Sequence, residues 1–203
     1  MADRLDAASE PALDRAAAAI RNGDLVVYPT ETVYGLGADA LNPEAIEAVF
    51  EAKGRGRDDP ISLGVPSVEA AMDYVEATAL ERAFMDEFLP GPITVVLRKR
   101  DLVPDVLTGG RERVGVRVPD HDVALGLFER VAPVTATSAN VSGRASVTSL
   151  EDLDPEIDDA AAVALDGGES SGTGSTVVDV AAGTIHRRGH TADAVEAWLQ
   201  ERA

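Results

Sequence analysis

The sequence contains no cysteine. That single absence excludes disulfides, thiolate nucleophiles and cysteine-ligated zinc together. Lysine is nearly absent as well: Lys53 and Lys99 are the whole complement, and the other 16 basic residues are arginine. Aromatic residues make up only 4% of the chain, so a core must come from Val, Leu, Ile and Ala within a hydrophobic content of 45%. No apolar run reaches the ~18 residues that a membrane-spanning helix needs. The opening MADRLDAASE has neither the basic start nor the apolar stretch of a secretory signal. These absences point to a cytoplasmic protein with no membrane contact.

Several catalytic signatures are missing too. There is no GxxxxGK[ST] phosphate loop, no HExxH, and no GxGxxG, because GLGADA breaks the pattern at its last position. His186 and His190 are four apart but have Gly189 between them, which makes a weak metal pair. Ser138 has no histidine base by pattern, so a Ser-His-Asp hydrolase finds no support.

What is abundant is negative charge. Asp and Glu number 36 against 18 Lys and Arg, a net charge of −18. An acidic, lysine-poor surface suits a high-salt interior, where repulsion is screened. It argues against a general nucleic-acid binder, whose footprint is a basic face. Against this background the cluster KGRGR at residues 53–57 is informative, and an anion site accounts for it better than a solvated loop.

The 203 residues show no internal repeat and no linker. They read as one α/β domain over 1–203, with a twisted mixed β-sheet flanked by helices. The pattern predicts helices over 11–22, 43–53, 67–76, 78–88, 121–131 and 191–202. It predicts strands over 24–29, 61–65, 93–99, 114–119, 133–137 and 162–166, and two more in STVVDVA and GTIHRRG. Gly35-Leu36-Gly37 reads as a turn, 101–113 as containing a loop, and the acidic stretch 151–159 as a solvated surface loop. Polar clusters sit at strand ends: PTET, KGRGR, RERVGVR, TSANVSG, GGESSGTGST and HRRG. Loops at strand ends are where α/β domains keep their sites. Hydroxyls, amides and arginines together suit a phosphate ester plus a small polar substrate.

PTETVYGLGADA, KGR followed by PIS, LPGPITVVL, VGVRVPDH, TSANVSG and STVVD follow one another in the order found in the YrdC-like family, which the chain resembles over about residues 10–190. The resemblance implies a nucleotidyltransferase that joins L-threonine, bicarbonate and ATP into threonylcarbamoyl-AMP and pyrophosphate, for tRNA modification next to the anticodon. It implies that Thr30, Thr32, Arg117 and Ser175 meet threonine, with Arg117 on its carboxylate. It also implies that Lys53, Arg55, Asp59, Ser138, Asn140, Ser146 and Arg187 form the ATP site, with Lys53 and Arg55 as the catalytic cations. Mg2+ is expected with ATP, without a protein cage of carboxylates. Partners implied are the tRNA-modification proteins that use the product.

Asp179 reads as structural; Arg57, Glu31 and Tyr34 carry no assigned role. The chain departs from the family pattern at Gly56, Asp59, Gly64 and Arg113. Its end at a helix resembles the short, single-domain form. Two other readings stay open: an RNA-binding module with weak tRNA contact, and a paralogue using another amine or carbamoyl donor.

Overall fold

The computed structural model describes residues 1–202. The strands are β1 (Asp3–Asp6), β2 (Leu25–Tyr28), β3 (Gly35–Gly37), β4 (Ser62–Gly64), β5 (Val75–Glu76), β6 (Ile93–Lys99), β7 (Arg113–Arg117), β8 (Val134–Ser138), β9 (Ala161–Asp166), β10 (Thr176–Asp179) and β11 (Thr184–Arg187). They form one sheet in the order β1-β9-β2-β3-β8-β4-β7-β6-β10-β11, with β5 on β6. Pairs β1–β9, β2–β9, β4–β7 and β6–β10 are parallel and the rest antiparallel, so the sheet is mixed as the sequence predicts.

Helices α1 (Glu10–Arg21) and α6 (Asp122–Arg130) share one core cluster, in which Leu13, Ala16, Ala17 and Ile20 meet Ala124, Leu127 and Phe128. The larger cluster gathers α2 (Pro43–Lys53), α4 (Ala79–Phe88) and α8 (Ala192–Glu201) around β4, β6 and β7. Local signals set several boundaries. Asn42 caps α2 by accepting from the amides of Glu44 and Ala45, Pro43 opens it, and Gly54 closes it at φ +55°. Thr78 and Glu81 form a reciprocal capping box at the start of α4. No helix among the described residues is long and apolar enough to cross a membrane.

Five segments differ from their sequence reading. Gly35-Leu36-Gly37 is strand β3, between β2 and β8. Its glycines are there for space, since a Cβ at Gly35 would lie 2.5 Å from the Tyr28 ring. The 67–76 stretch is a single turn, α3 (Val68–Ala71), before β5, which is recruited to the edge of β6. A short α5 (Asp105–Thr108) interrupts the 101–113 loop and is stopped by Gly109 at φ +61°. Residues 3–6, unread in the sequence, add β1 beside β9. The acidic 151–159 stretch holds a 3-10 turn and α7 (Pro155–Ala160), with Ile157 and Asp158 buried. Two of its carboxylates have partners elsewhere in the fold: Asp158 accepts from the Ala2 amide, and Asp154 binds Arg144.

Candidate active site

One face of the central strands forms the floor of a cavity of about 880 Å³. Side chains alternate across a strand, so every second residue reaches that floor. On β7 these are Arg113, Gly115 and Arg117; on β6, Thr94 and Val96; on β10, Val177 and Asp179. Their neighbours Val95, Leu97, Val114, Val116 and Val178 are buried in the core behind it. Gly115 lets the strands approach: a Cβ there would meet Ser62 Oγ at 2.4 Å and Thr94 Cγ2 at 2.9 Å.

The cavity is basic in an acidic protein. Arg55, Arg111, Arg113, Arg117 and Arg187 line it, against the carboxylates of Asp59, Glu112 and Asp179. Burial, together with the like charges of Arg117 and Arg55, pushes the Arg187 guanidinium below its ordinary pKa. Arg187 is anchored by Ser175, donating to its carbonyl at 2.9 Å and its hydroxyl at 2.7 Å. Arg55 donates to the carbonyls of Asp59 and Pro60, each at 3.1 Å. A bulge in β11 at its pairing with Val177 and Val178 explains why the adjacent His186 and Arg187 both reach the cavity.

The PTET loop organises the Arg117 end. Thr30 Oγ1 donates to Val33 O at 2.6 Å, and it lies 3.0 Å from Thr32 Oγ1. A hydroxyl has one proton, so Thr32 donates to Thr30. Thr30 Oγ1 also accepts from the amides of Thr32 and Val33, which leaves it saturated. Arg117 Nη2 donates to Thr32 Oγ1 at 2.8 Å and to Glu31 Oε1 at 3.0 Å. Its Nη1 is buried without a partner, as is Glu31 Oε2. A buried guanidinium nitrogen left unpaired is a costly group that an anionic ligand would satisfy.

Of the residues singled out in the sequence, Thr30, Thr32, Arg55, Asp59, Arg117, Ser138, Ser146, Ser175 and Arg187 lie on the cavity wall. Lys53 and Asn140 do not; they sit beneath it. Lys53 donates to Ser138 O and, at 2.7 Å, to Asn140 O, clamping the turn after β8. Burial, then the charge of Arg55, pushes its pKa down to about 8. Asn140 Nδ2 donates to the carbonyls of Val141 and Arg144, while its Oδ1 is buried and unpaired. Asp154 holds the same loop from outside, through the Val141 amide and Arg144.

Arg57 is an exposed partner of Glu47. Tyr34 lines the cavity and is fully buried. Asp179 accepts from the Ala182 amide and pairs with Arg113, and it also lies on the cavity floor.

Arg113 and Thr94 went unread as site residues. Arg113 donates to Glu81, Asp179 and Val96 O on the cavity floor. Arg113 stands four residues before Arg117, two strand alternations back, so strand periodicity puts it on the same face. Gly64 packs under Phe128, where a Cβ would lie 2.7 Å from the ring, so no larger residue fits this position as built. Among the described residues, no group of three or more His, Asp or Glu side chains is arranged to hold a metal ion.

The family model Sua5_yciO_yrdC, described as "Telomere recombination", matches residues 18–189. The threonylcarbamoyl-AMP synthase of Pyrococcus abyssi is 44% identical over 169 residues, covering 81% of this chain and 49% of that protein. The Bacillus subtilis protein of the same name is 38% identical over 177 residues, covering 85% of this chain and 51% of that one. The chain therefore spans about half the length of these two relatives. The crystal structure of P. abyssi Sua5 complexed with L-threonine superposes with a TM-score of 0.79 at 40% identity, over 87% of this chain and 54% of that one.

Proposed function

The chain belongs to the Sua5/YciO/YrdC family, and we propose that it is a threonylcarbamoyl-AMP synthase, a nucleotidyltransferase that forms threonylcarbamoyl-AMP and pyrophosphate from L-threonine, bicarbonate and ATP. The observation that carries this reading is the convergence of Arg55, Arg117 and Arg187 on one cavity in a chain of net charge −18. Such a cavity selects anions, and it has room for more than one.

In this mechanism Arg117 takes the threonine carboxylate through its unpaired Nη1. Arg55 and Arg187 take the triphosphate, with Ser138 and Ser146 as hydroxyl contacts. Lys53 contributes from below, fixing the carbonyls of the turn that carries Ser138. The threonine amine condenses with bicarbonate, releasing water, and gives a carbamate. A carbamate oxygen then attacks the α-phosphate, and pyrophosphate leaves. No bond to the enzyme forms, which agrees with a site of cations and hydroxyls without an activated nucleophile. The protein's part is to bring two anions together and to offset their charge.

Magnesium would enter on the triphosphate, and among the wall residues the Asp59 carboxylate has the oxygen chemistry to meet it. The product would serve threonylcarbamoyladenosine formation in tRNA next to the anticodon, in the cytoplasm, through partner proteins that consume it.

The test is pyrophosphate release from ATP in concentrated KCl, with threonine and bicarbonate omitted in turn. Release that needs both is expected. Release independent of threonine, or none from folded protein, overturns the reading.

A further inference from the structure

The glycine- and serine-rich segment 167–174, just before Ser175, is the motif that the proposed reaction leaves without a task. It lies over the PTET loop in residue-by-residue register. Ser170 Oγ donates to Thr30 O at 3.0 Å, Ser171 Oγ to Glu31 O at 2.8 Å, and the Gly172 amide to Thr32 O at 2.8 Å. Successive carbonyls of an irregular loop thus meet successive donors of another. The segment is itself tied down. Tyr34 donates its hydroxyl proton to Gly168 O at 2.7 Å and accepts from the Gly167 amide at 3.1 Å. The Ser170 amide reaches Thr148 O at 2.9 Å. Gly168 and Gly172, at φ +78° and +84°, supply the left-handed backbone this path requires.

The three residues held in this way carry the side chains that hold Arg117. Glu31 and Thr32 both accept from Nη2, and Thr30 orders the Thr32 proton. A guanidinium is planar, so two acceptors on one terminal nitrogen decide where the other points. Nη1 is left buried and unpaired.

We propose that Ser170, Ser171 and Gly172 are positioning residues for the amino-acid subsite: by fixing the backbone of residues 30–32 they aim Arg117 Nη1 at the substrate carboxylate. The inference rests on the synthase reading, which makes that carboxylate the ligand of Arg117. The triphosphate side of the cavity has other supports, since Arg55 is held by Asp59 O and Pro60 O and the Ser138 turn by Lys53 and Asp154. The contacts of this strap, from Ser170, Ser171 and Gly172 to residues 30–32, therefore bear on the amino acid rather than the nucleotide.

Pyrophosphate release is measured in the wild type, in the Ser170→Ala/Ser171→Ala double variant, and in Ser171→Ala beside Ser171→Thr. Ser171 is exposed, so threonine keeps the hydroxyl without crowding. Loss of two modest hydrogen bonds should raise the KM for threonine by about tenfold in the double variant while the KM for ATP stays within about twofold. Ser171→Thr should restore what Ser171→Ala loses. Both KM values rising together, or a threonine KM at the wild-type level in the double variant, overturns the proposal.

Amide hydrogen exchange over residues 32–34 reads the strap without turnover. It should quicken in the double variant, and unchanged exchange refutes the strap whatever the activity. A wild type that is inactive toward threonine while exchange still quickens would remove the synthase reading, and with it the carboxylate target, but not the strap's hold on the loop.

Discussion

Replacing Lys53 with methionine should make the protein's stability respond differently to pH. The side chain is 1% exposed. Its amine donates to two backbone carbonyls, and burial beside Arg55 lowers its pKa from 10.5 to about 8, against the attraction of Asp154. The gap between those values corresponds to roughly 3 kcal/mol of cost for keeping the ammonium charged in the folded chain. Below about pH 8 both folded and unfolded chains carry the proton, and the cost is borne in full. Between about 8 and 10.5 the unfolded chain holds more protons than the folded one, so stability rises with pH across that window.

A neutral amine still has two N–H donors, one for each carbonyl, so the turn after β8 survives deprotonation. Urea unfolding of wild type and Lys53→Met in the same KCl buffer, at half-unit steps from pH 7 to 10.5, isolates the effect. Every other titrating group is common to the two proteins, so its contribution cancels in the difference. The wild type should gain about 2–3 kcal/mol on the variant over this range. A difference that is flat, or that moves the other way, refutes the account of a charged lysine held in a dry pocket.

Other perturbations address other parts of the site. Arg117→Lys should raise the threonine KM about tenfold or more and leave the ATP KM nearly unmoved, because a point charge cannot satisfy Glu31, Thr32 and a carboxylate in one plane; an unchanged threonine KM removes Arg117 from the carboxylate. Gly115→Ala would place a Cβ 2.4 Å from Ser62 Oγ and should cost about 1–3 kcal/mol, read as a lower melting temperature; an unaltered one would mean that β4 and β7 yield easily. Asp154→Asn weakens the grip on Arg144 and should raise the ATP KM about threefold to tenfold while sparing threonine, since the half-exposed partner limits the effect. The carboxyl of Asp154 is held below its ordinary pKa first by the Val141 amide and then by Arg144. Its contribution is therefore present at neutral pH and lost as pH falls through the folded value, and the ATP KM of wild type should drift toward that of Asp154→Asn in acid.

Elements with local signals were legible in the sequence. Proline, asparagine and glycine bracket α2, and β6 is a β-branched run behind a Pro-Gly-Pro turn; both appear at their predicted boundaries. Elements defined by distant partners were not. β3 is three residues whose strand character comes from lying between β2 and β8 under the Tyr28 ring. α7 looked solvated because its charges are acidic, and only the fold brings Arg144 to Asp154 and the Ala2 amide to Asp158.

The same divide runs through the site. Motif order singled out Arg117, Arg55 and Arg187, whose guanidinia line the cavity. It also singled out Lys53 and Asn140, but pattern alone does not reveal that these two hold the turn from beneath. Arg113 was open to simple alternation along RVGVR, but the strand predicted over 114–119 begins one residue after it. Ser170 and Ser171 have no signal of their own, since their partners lie 140 residues away.

The strands that floor the cavity present their other face to the core, and this ties chemistry to registration of the chain. A slip of one residue in β7 would turn Val116 into the cavity and Arg117 into the hydrocarbon behind it. The same slip in β6 would exchange Thr94 for Val95. No partly ordered form with shifted strands can keep both a dry interior and a charged floor. On the proposed synthase reading, turnover would thus report correct strand alignment: during refolding it should return with the final packing of Val95, Val114 and Val116 and not before it.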